Sequence, residues 1–301
     1  MKNFDTAQNI SIGIIGLGSI GCLIASQLPK SVTCYALLRH EAKHLDFTIE
    51  DKAGSSQYHL PAWQGHELDL IIICCKASQT LSALTQWQSA ITSNTQIVLL
   101  QNGLGQHDQA HHLFPNNTLY AASTTEGANR HSHHKIRHAG IGITQWGYYS
   151  GPQKNLALNL PSLTGKHQIN ENIKQVLLDK LAINAVINPL TVKYQCANGD
   201  LLVNDTAFSE FQNLCTETES IFSRLGWNLS FKLFDHAQQI AQQTSKNISS
   251  MLQDIRNHQE TEIEYINNHL VNKAKEKGFS APLNQALVEL IKNEQSTLIK
   301  Q

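Results

Sequence analysis

The chain has 301 residues, with 23 Lys and Arg against 24 Asp and Glu and a formal net charge of −1. That balance gives no general attraction to nucleic acid or to an anionic membrane surface. Hydrophobic residues make up 41% of the chain, enough for a sizeable core, so wholesale disorder is excluded and the length favours two domains. No stretch approaches the roughly 18 consecutive apolar residues of a membrane span. Residues 1–10 carry Lys2, Asn3 and Asp5 without the apolar stretch of a secretory signal. The expectation is a cytoplasmic protein with neither nucleic acid nor membrane as partner.

The apolar run 12–15 stops at Gly16-Leu17-Gly18-Ser19-Ile20-Gly21, and a helix is predicted from residue 22 to 28. A strand, a GxGxxG turn and a helix make a phosphate cradle. The first glycine permits the tight turn, the second lets backbone approach a pyrophosphate, and the third lets helix and strand pack closely. The helix N-terminus then offers unpaired N–H groups and a partial positive charge. A second apolar run, 32–38, ends in Leu37-Leu38-Arg39-His40. An NAD site usually carries an acid at this point, whereas a ribose 2′-phosphate calls for an Arg. Arg39 therefore favours NADP over NAD, while Glu41 is free to pair with Arg39 or to face solvent.

The third apolar run, 68–75, is followed by Lys76, and the fourth, 97–100, by Asn102-Gly103. Both positions lie beyond strand C-termini, where open α/β sheets hold their ligands. Between these runs, residues 78–91 have helical spacing at Leu81, Leu84, Trp87 and Ile91. Alternating strand and helix predicts a doubly wound, Rossmann-type α/β domain. Residues 118–150 read as antiparallel strands closing the edge of that sheet. Within them His131, His133, His134 and His138 read as a solvated hairpin and not as metal ligands, and no metal site is expected. The six cysteines form no CxxC pair and read as small hydrophobes, not as a disulfide framework.

The character of the chain changes after Gly151-Pro152, and the predicted domains are 1–171 and 172–301, the second all-helical. Helix breaks are expected near Pro189, Gly199, Gly226, residues 245–249, Gly278 and Pro282. Residues 177–189 are the most informative stretch. Lys180, Asn184 and Asn188 recur every four residues, so they share one helical face about 6 Å apart. Apart from Asp179, nearly every other residue there is apolar, so the helix should be buried almost all round. Buried amides and a buried ammonium are costly unless something satisfies them. An ammonium beside a ketone under reduction can stabilise the nascent alkoxide and donate its proton. Pro189 cannot donate to the Ala185 carbonyl and should kink or end the helix. Further on come Asn198 at a turn, then Asn247 and Ser250, which can share a surface. Ser250 is a candidate for a substrate carboxylate, the plainer alternative being a helix N-cap. Glu262 is expected in the first turn of a helix.

Taken in order, GLGSIG, CCKA, QNG, DKLAINAVINPLT, CANG and NISSMLQDIR…TEIEYIN closely resemble the 2-dehydropantoate 2-reductase (ketopantoate reductase) family, from about Ile12 to the C-terminal helices. The resemblance implies NADPH-dependent reduction of ketopantoate to pantoate, on the route to pantothenate and coenzyme A. It makes Lys180 the proton donor and gives Glu262 a supporting catalytic role with cofactor contact. It assigns Asn184, Asn188 and Asn198 to the substrate's oxygen functions, and Ser250, with Asn247 beside it, to the carboxylate. Asn102 touches cofactor and substrate. Residues Gly16, Leu17, Gly18, Ser19, Ile20 and Gly21 hold the dinucleotide, Arg39 and Lys76 bind its adenine-nucleotide side, and Ala128 presents backbone to the nicotinamide. Two other readings stand beside this one: a related reductase of another keto acid, and a dinucleotide-sensing protein without turnover. Monomer and homodimer are both open.

Overall fold

The computed structural model describes residues 10–132, 134–152 and 155–299. They divide into two compact units. One runs to Gln101 and again over Gln106–Lys174; the other consists of Asn102–Gly105 and the chain from Gln175 onward.

The first unit contains, in chain order, β1 (Ser11–Ile15), α1 (Ser19–Gln27), β2 (Thr33–Leu37), β3 (His44–Asp51), β4 (Gly54–Pro61), β5 (Leu70–Ile73), α2 (Thr80–Gln86), β6 (Gln96–Leu99) and α3 (Gln106–Leu113). It continues with β7 (Leu119–Thr124), β8 (Gly127–Ser132), β9 (Lys135–Gly140), β10 (Thr144–Ser150) and β11 (His167–Ile169). Strands β2, β1, β5, β6 and β7 lie side by side in that order, all parallel; β10 is antiparallel to β7, and β11 completes the edge. Leu70, Ile71, Ile72 and Ile73 of β5 are completely buried, as are Ile97, Val98 and Leu99 of β6. Unbroken apolar runs of this kind suit strands covered on both faces. The expected α/β doubly wound sheet is present.

Two local expectations change. Residues 118–150 do not all join the main sheet: β8 and β9 leave it and build a second sheet of order β4-β3-β9-β8. The reason lies in β3, whose Phe47 and Ile49 alternate with polar residues and bury one face beside Leu60 and Ile136. The histidine-rich stretch is the β8–β9 hairpin, with His131 exposed and His138 paired to the buried Glu126; His133 lies outside the described residues. The predicted helix 78–91 is shorter, α2 being flanked by single 3₁₀ turns at Ala77–Gln79 and Gln88–Ala90.

The second unit is helical: α4 (Ile173–Tyr194), α5 (Asp205–Leu225), α6 (Leu233–Gln243), α7 (Ser250–Arg256), α8 (Asn267–Glu276) and α9 (Pro282–Ile299), with a 3₁₀ turn at Asn198–Leu202. Its core gathers Leu181, Ala185, Val186, Phe211, Leu252 and Leu270. Helix α5 stops at Gly226, whose φ of 71° is the left-handed conformation that glycine adopts without steric cost. No helix among the described residues is long and apolar enough to cross a membrane.

Of the two outcomes the sequence allowed, Pro189 does not end its helix; α4 continues to Tyr194. The lost partner of the Ala185 carbonyl is replaced from outside. Nδ2 of Asn267, a fully buried residue, donates to that carbonyl at 2.8 Å and also to Oδ1 of Asn284 at 2.8 Å. Asn284 in turn donates to the Glu217 carboxylate. A side chain at the start of α8 thus repairs the gap in α4. Asn267→Ala should cost about 1–3 kcal/mol by orphaning a buried carbonyl. Pro189→Ala supplies an N–H in its place, so the loss should shrink in the double variant. Denaturant titration of the four proteins checks this; strictly additive losses would contradict the repair.

Candidate functional site

In the first unit the three loop glycines are required for different reasons. Gly16 has φ of 82°, and a Cβ there would lie 2.3 Å from the Cys75 backbone nitrogen. A Cβ on Gly21 would lie 2.4 Å from the Gly16 carbonyl oxygen, so α1 can rest on the loop only without one. A Cβ on Gly18 would meet nothing closer than the Gly16 oxygen at 4.0 Å. The protein's own packing therefore demands Gly16 and Gly21 but not Gly18. The open space over Gly18 fits a group laid against the backbone. Leu17, Ser19 and Ile20 are half-buried around it. No side chain caps α1 and no acid stands in its first turn, which leaves its N-terminal N–H groups and partial positive charge available to an anion.

Beyond β2, Arg39 is exposed and opens onto a cavity of about 570 Å³ that His40, Glu41, Lys43, Trp63 and Trp87 also line. The two indoles meet edge to face, 5.9 Å between centroids. Among the described ion pairs there is none between Arg39 and Glu41. Lys43 and the two tryptophans are additions to the sequence-derived set. The run Arg39-His-Glu-Ala-Lys43 carried a signal for the lysine, but the tryptophans come from distant segments. Lys76 is half-buried immediately after β5, and Ala128 half-buried on β8.

In the second unit, Lys180, Asn184 and Asn188 lie on α4, the first two half-buried and Asn188 7% exposed. Burial of the Lys180 ammonium pushes its pKa down to about 8, and the Glu262 carboxylate acts the other way. Glu262 is itself buried and accepts from Asn102 Nδ2 at 2.9 Å. Asn102 follows β6 in the chain but belongs to this unit. Its attachment is backbone-tight: Leu104 N–H donates to the Tyr265 carbonyl at 2.9 Å, and a Cβ on Gly103 would lie 2.5 Å from the same oxygen. Lys180, Glu262 and Asn102 therefore form one electrostatic and hydrogen-bonded cluster. Glu262 does not begin a helix as expected. It sits in turns ahead of α8, because Leu104 occupies the Tyr265 carbonyl that a continuing helix would use.

Asn198 opens the 3₁₀ turn. Its Nδ2 donates to Thr244 Oγ1 at 2.9 Å and its backbone N–H to the Asn247 carbonyl at 3.0 Å. Its Oδ1 is buried and has no protein partner, and a buried acceptor in that condition calls for a donor. Asn247 and Ser250 are exposed. The alternative role of Ser250 as the cap of α7 is corrected, since Ser249 fills it. Ser249 Oγ accepts from Leu252 N–H at 3.1 Å and lies 2.6 Å from Thr191 Oγ1, which donates to the Asn188 carbonyl. Ser249 thereby ties α7 to α4, and Ser250 keeps a free hydroxyl at the surface.

A Rossmann-type unit with a cradle for a dinucleotide, and a helical unit carrying a desolvated lysine among carboxamides, together define a dinucleotide-dependent oxidoreductase. Sequence comparison specifies which. A family profile described as ketopantoate reductase PanE/ApbA matches residues 12–151, and its C-terminal counterpart matches residues 172–295. The chain belongs to the ketopantoate reductase family. A 2-dehydropantoate 2-reductase of Shigella flexneri is 34% identical over 235 residues, 76% of this chain and 75% of that one. A 2-dehydropantoate 2-reductase of Vibrio cholerae is 29% identical and covers 95% of this chain and 99% of its own. Two solved structures share the fold. A D-mandelate dehydrogenase with NADH and anilino(oxo)acetate superposes with a TM-score of 0.85 at 22% identity, covering 96% of this chain and 99% of that one. A probable 2-dehydropantoate 2-reductase from Bacillus subtilis gives 0.79 at 24%, covering 95% and 100%.

The distinct glycine roles are separable by mutation. Gly18→Ala should unfold at the wild-type temperature yet bind dinucleotide more weakly. Gly21→Ala should lose thermal stability even without nucleotide. Thermal unfolding alongside fluorescence titration checks both, and unchanged nucleotide affinity in Gly18→Ala would remove that glycine from the cradle.

Proposed function

We propose that this protein reduces 2-dehydropantoate to pantoate with NADPH, a step toward pantothenate and coenzyme A, in the cytoplasm. The observation that carries this reading is Lys180, whose ammonium is desolvated on a helix that buries Leu181, Ala182, Ala185 and Val186 and is opposed by one buried carboxylate. A reduced nicotinamide dinucleotide supplies the hydride for the keto carbon when bound. Lys180 stabilises the resulting alkoxide and passes its proton to that oxygen. Burial makes the proton easier to give, and Glu262 keeps it in place at neutral pH. Asn102 holds Glu262 in position, and itself is read as touching cofactor and substrate.

The amides of Asn184 and Asn188 orient the substrate's oxygen functions. The unpaired Oδ1 of Asn198 accepts from a substrate hydroxyl, which suits a hydroxylated keto acid better than a purely apolar one. Asn247 and Ser250 provide exposed donors for the carboxylate. On the nucleotide side, residues 16–21 cradle the pyrophosphate, Lys76 binds on the adenine-nucleotide side, and Ala128 presents backbone to the nicotinamide. Arg39, joined by Lys43, meets the ribose 2′-phosphate, while Trp63 and Trp87 give the adenine an apolar wall. Reduction of another 2-keto acid with NADH is the second reading, favoured by the likeness to the D-mandelate dehydrogenase.

Lys180→Ala should lower kcat by about 10²–10⁴, the usual range for a lost general acid, with NADPH affinity unchanged. Because Lys180 donates only while protonated, the rate of reduction should fall as pH rises through about 8. A flat profile from pH about 7 to 10 would contradict the role. Absorbance assays with ketopantoate beside unhydroxylated branched 2-keto acids decide between the two substrate readings. Arg39→Ala should weaken NADPH far more than NADH; an equal effect on both would take the 2′-phosphate away from Arg39.

A further inference from the structure

We infer that the outer face of the β3–β4 hairpin is a binding site for a first-row divalent transition cation such as Zn²⁺, with His44, Asp46 and His59 as its protein ligands. The site is independent of the reductase chemistry.

The pleat puts the three residues together. In the antiparallel ladder Asp46 pairs with His59, and His44 lies two residues before Asp46 on the same strand, so all three project from one face. The opposite face anchors the hairpin. Phe47 and Leu60 are buried, and Phe47 stacks on Tyr58 with 5.2 Å between ring centroids. The turn is also fixed, since Asp51 Oδ1 accepts from the N–H groups of Ala53 and Gly54 at 2.7 and 3.1 Å. A rigid ladder holding short-reach ligands in register is what a metal site needs from its scaffold.

The ligand atoms already converge. Asp46 Oδ1 lies 2.7 Å from His59 Nδ1, Oδ2 lies 3.2 Å from His44 Nε2, and one such atom from each residue lies within 4.8 Å of the others. The two imidazole rings are 4.5 Å apart. Ligands at about 2.0–2.1 Å from a tetrahedral Zn²⁺ sit about 3.3–3.4 Å from one another, so closure on a cation needs side-chain rotation only. Two imidazoles and a carboxylate suit borderline cations of this class better than Mg²⁺ or Ca²⁺, which take all-oxygen shells. All three side chains are exposed, so water completes the coordination. The ladder continues on this face with Thr48, paired to the neutral Gln57 of β4 on one side and to Lys135 of β9 on the other, so the nearest rung brings one ammonium from β9 but no charge from β3 or β4.

Metal binding competes with protons for the imidazoles, which gives a test that does not involve turnover. Metal-stripped protein is titrated with ZnCl₂ by calorimetry at about pH 7.5 and about pH 5.5, on either side of the ordinary histidine pKa. Wild type and the control His131→Ala should each take up about one equivalent at the higher pH and bind much more weakly at the lower. Loss of groups that merely orient a metal ligand costs about 10–100-fold in affinity, so His59→Ala and the isosteric Asp46→Asn should each lose at least that. Wild-type affinity in those two variants, or no saturable binding by the wild type, would overturn the site.

Discussion

A single electrostatic compromise sits at the centre of this protein. Helix α4 buries Leu181, Ala182, Ala185, Val186, Ile187 and Leu190, and in their midst it carries an ammonium. Desolvation alone would drive the proton off Lys180, since burial disfavours the charged form. The Glu262 carboxylate, buried as well, pulls the other way, and the balance comes to rest near about 8. A proton held at that strength is retained at neutral pH and still easily given up. Neither residue would do this alone: an uncompensated carboxylate or ammonium in such surroundings is strongly disfavoured.

Much of the second unit can be understood as support for that pair. Asn102 donates to Glu262, and the segment bearing it is fastened to the Tyr265 carbonyl through Leu104. The helix carrying Lys180, Asn184 and Asn188 passes through a proline and stays whole because Asn267 satisfies the carbonyl that Pro189 leaves exposed. Ser249 and Thr191 fasten α7 to the same helix at Asn188. On the proposed reading, the first unit handles a different problem, the approach of backbone to a polyanion. Its glycines answer in two ways, two by removing clashes within the protein and one by leaving space above the loop.

The sequence made the sheet legible because its strands are short, continuous apolar runs, and it made the loop legible because glycine spacing has a direct steric meaning. The row of Lys180, Asn184 and Asn188 was readable from the contrast between polar side chains and an apolar helix. What escaped depended on partners far away in the chain. Pro189 looked like a helix end because nothing nearby announces Asn267, and Glu262 looked like a first-turn acid because nothing nearby announces Leu104. The second sheet did carry a period-two pattern in Leu45, Phe47 and Ile49, but interleaved His and Asp residues masked it. Ser249 and Ser250 are adjacent hydroxyls, and only coordinates show which one caps and which one faces outward.

The central claim is a property of one nitrogen atom, and it can be observed without catalysis. Isotope-detected NMR of the lysine side chains, with Lys180→Arg to assign the resonance, follows the Lys180 ammonium through a pH titration. The account predicts a midpoint near about 8, moving lower in Glu262→Gln, where the carboxylate's opposing charge is gone. A midpoint at the ordinary lysine value of about 10.4, unmoved by Glu262→Gln, would contradict it.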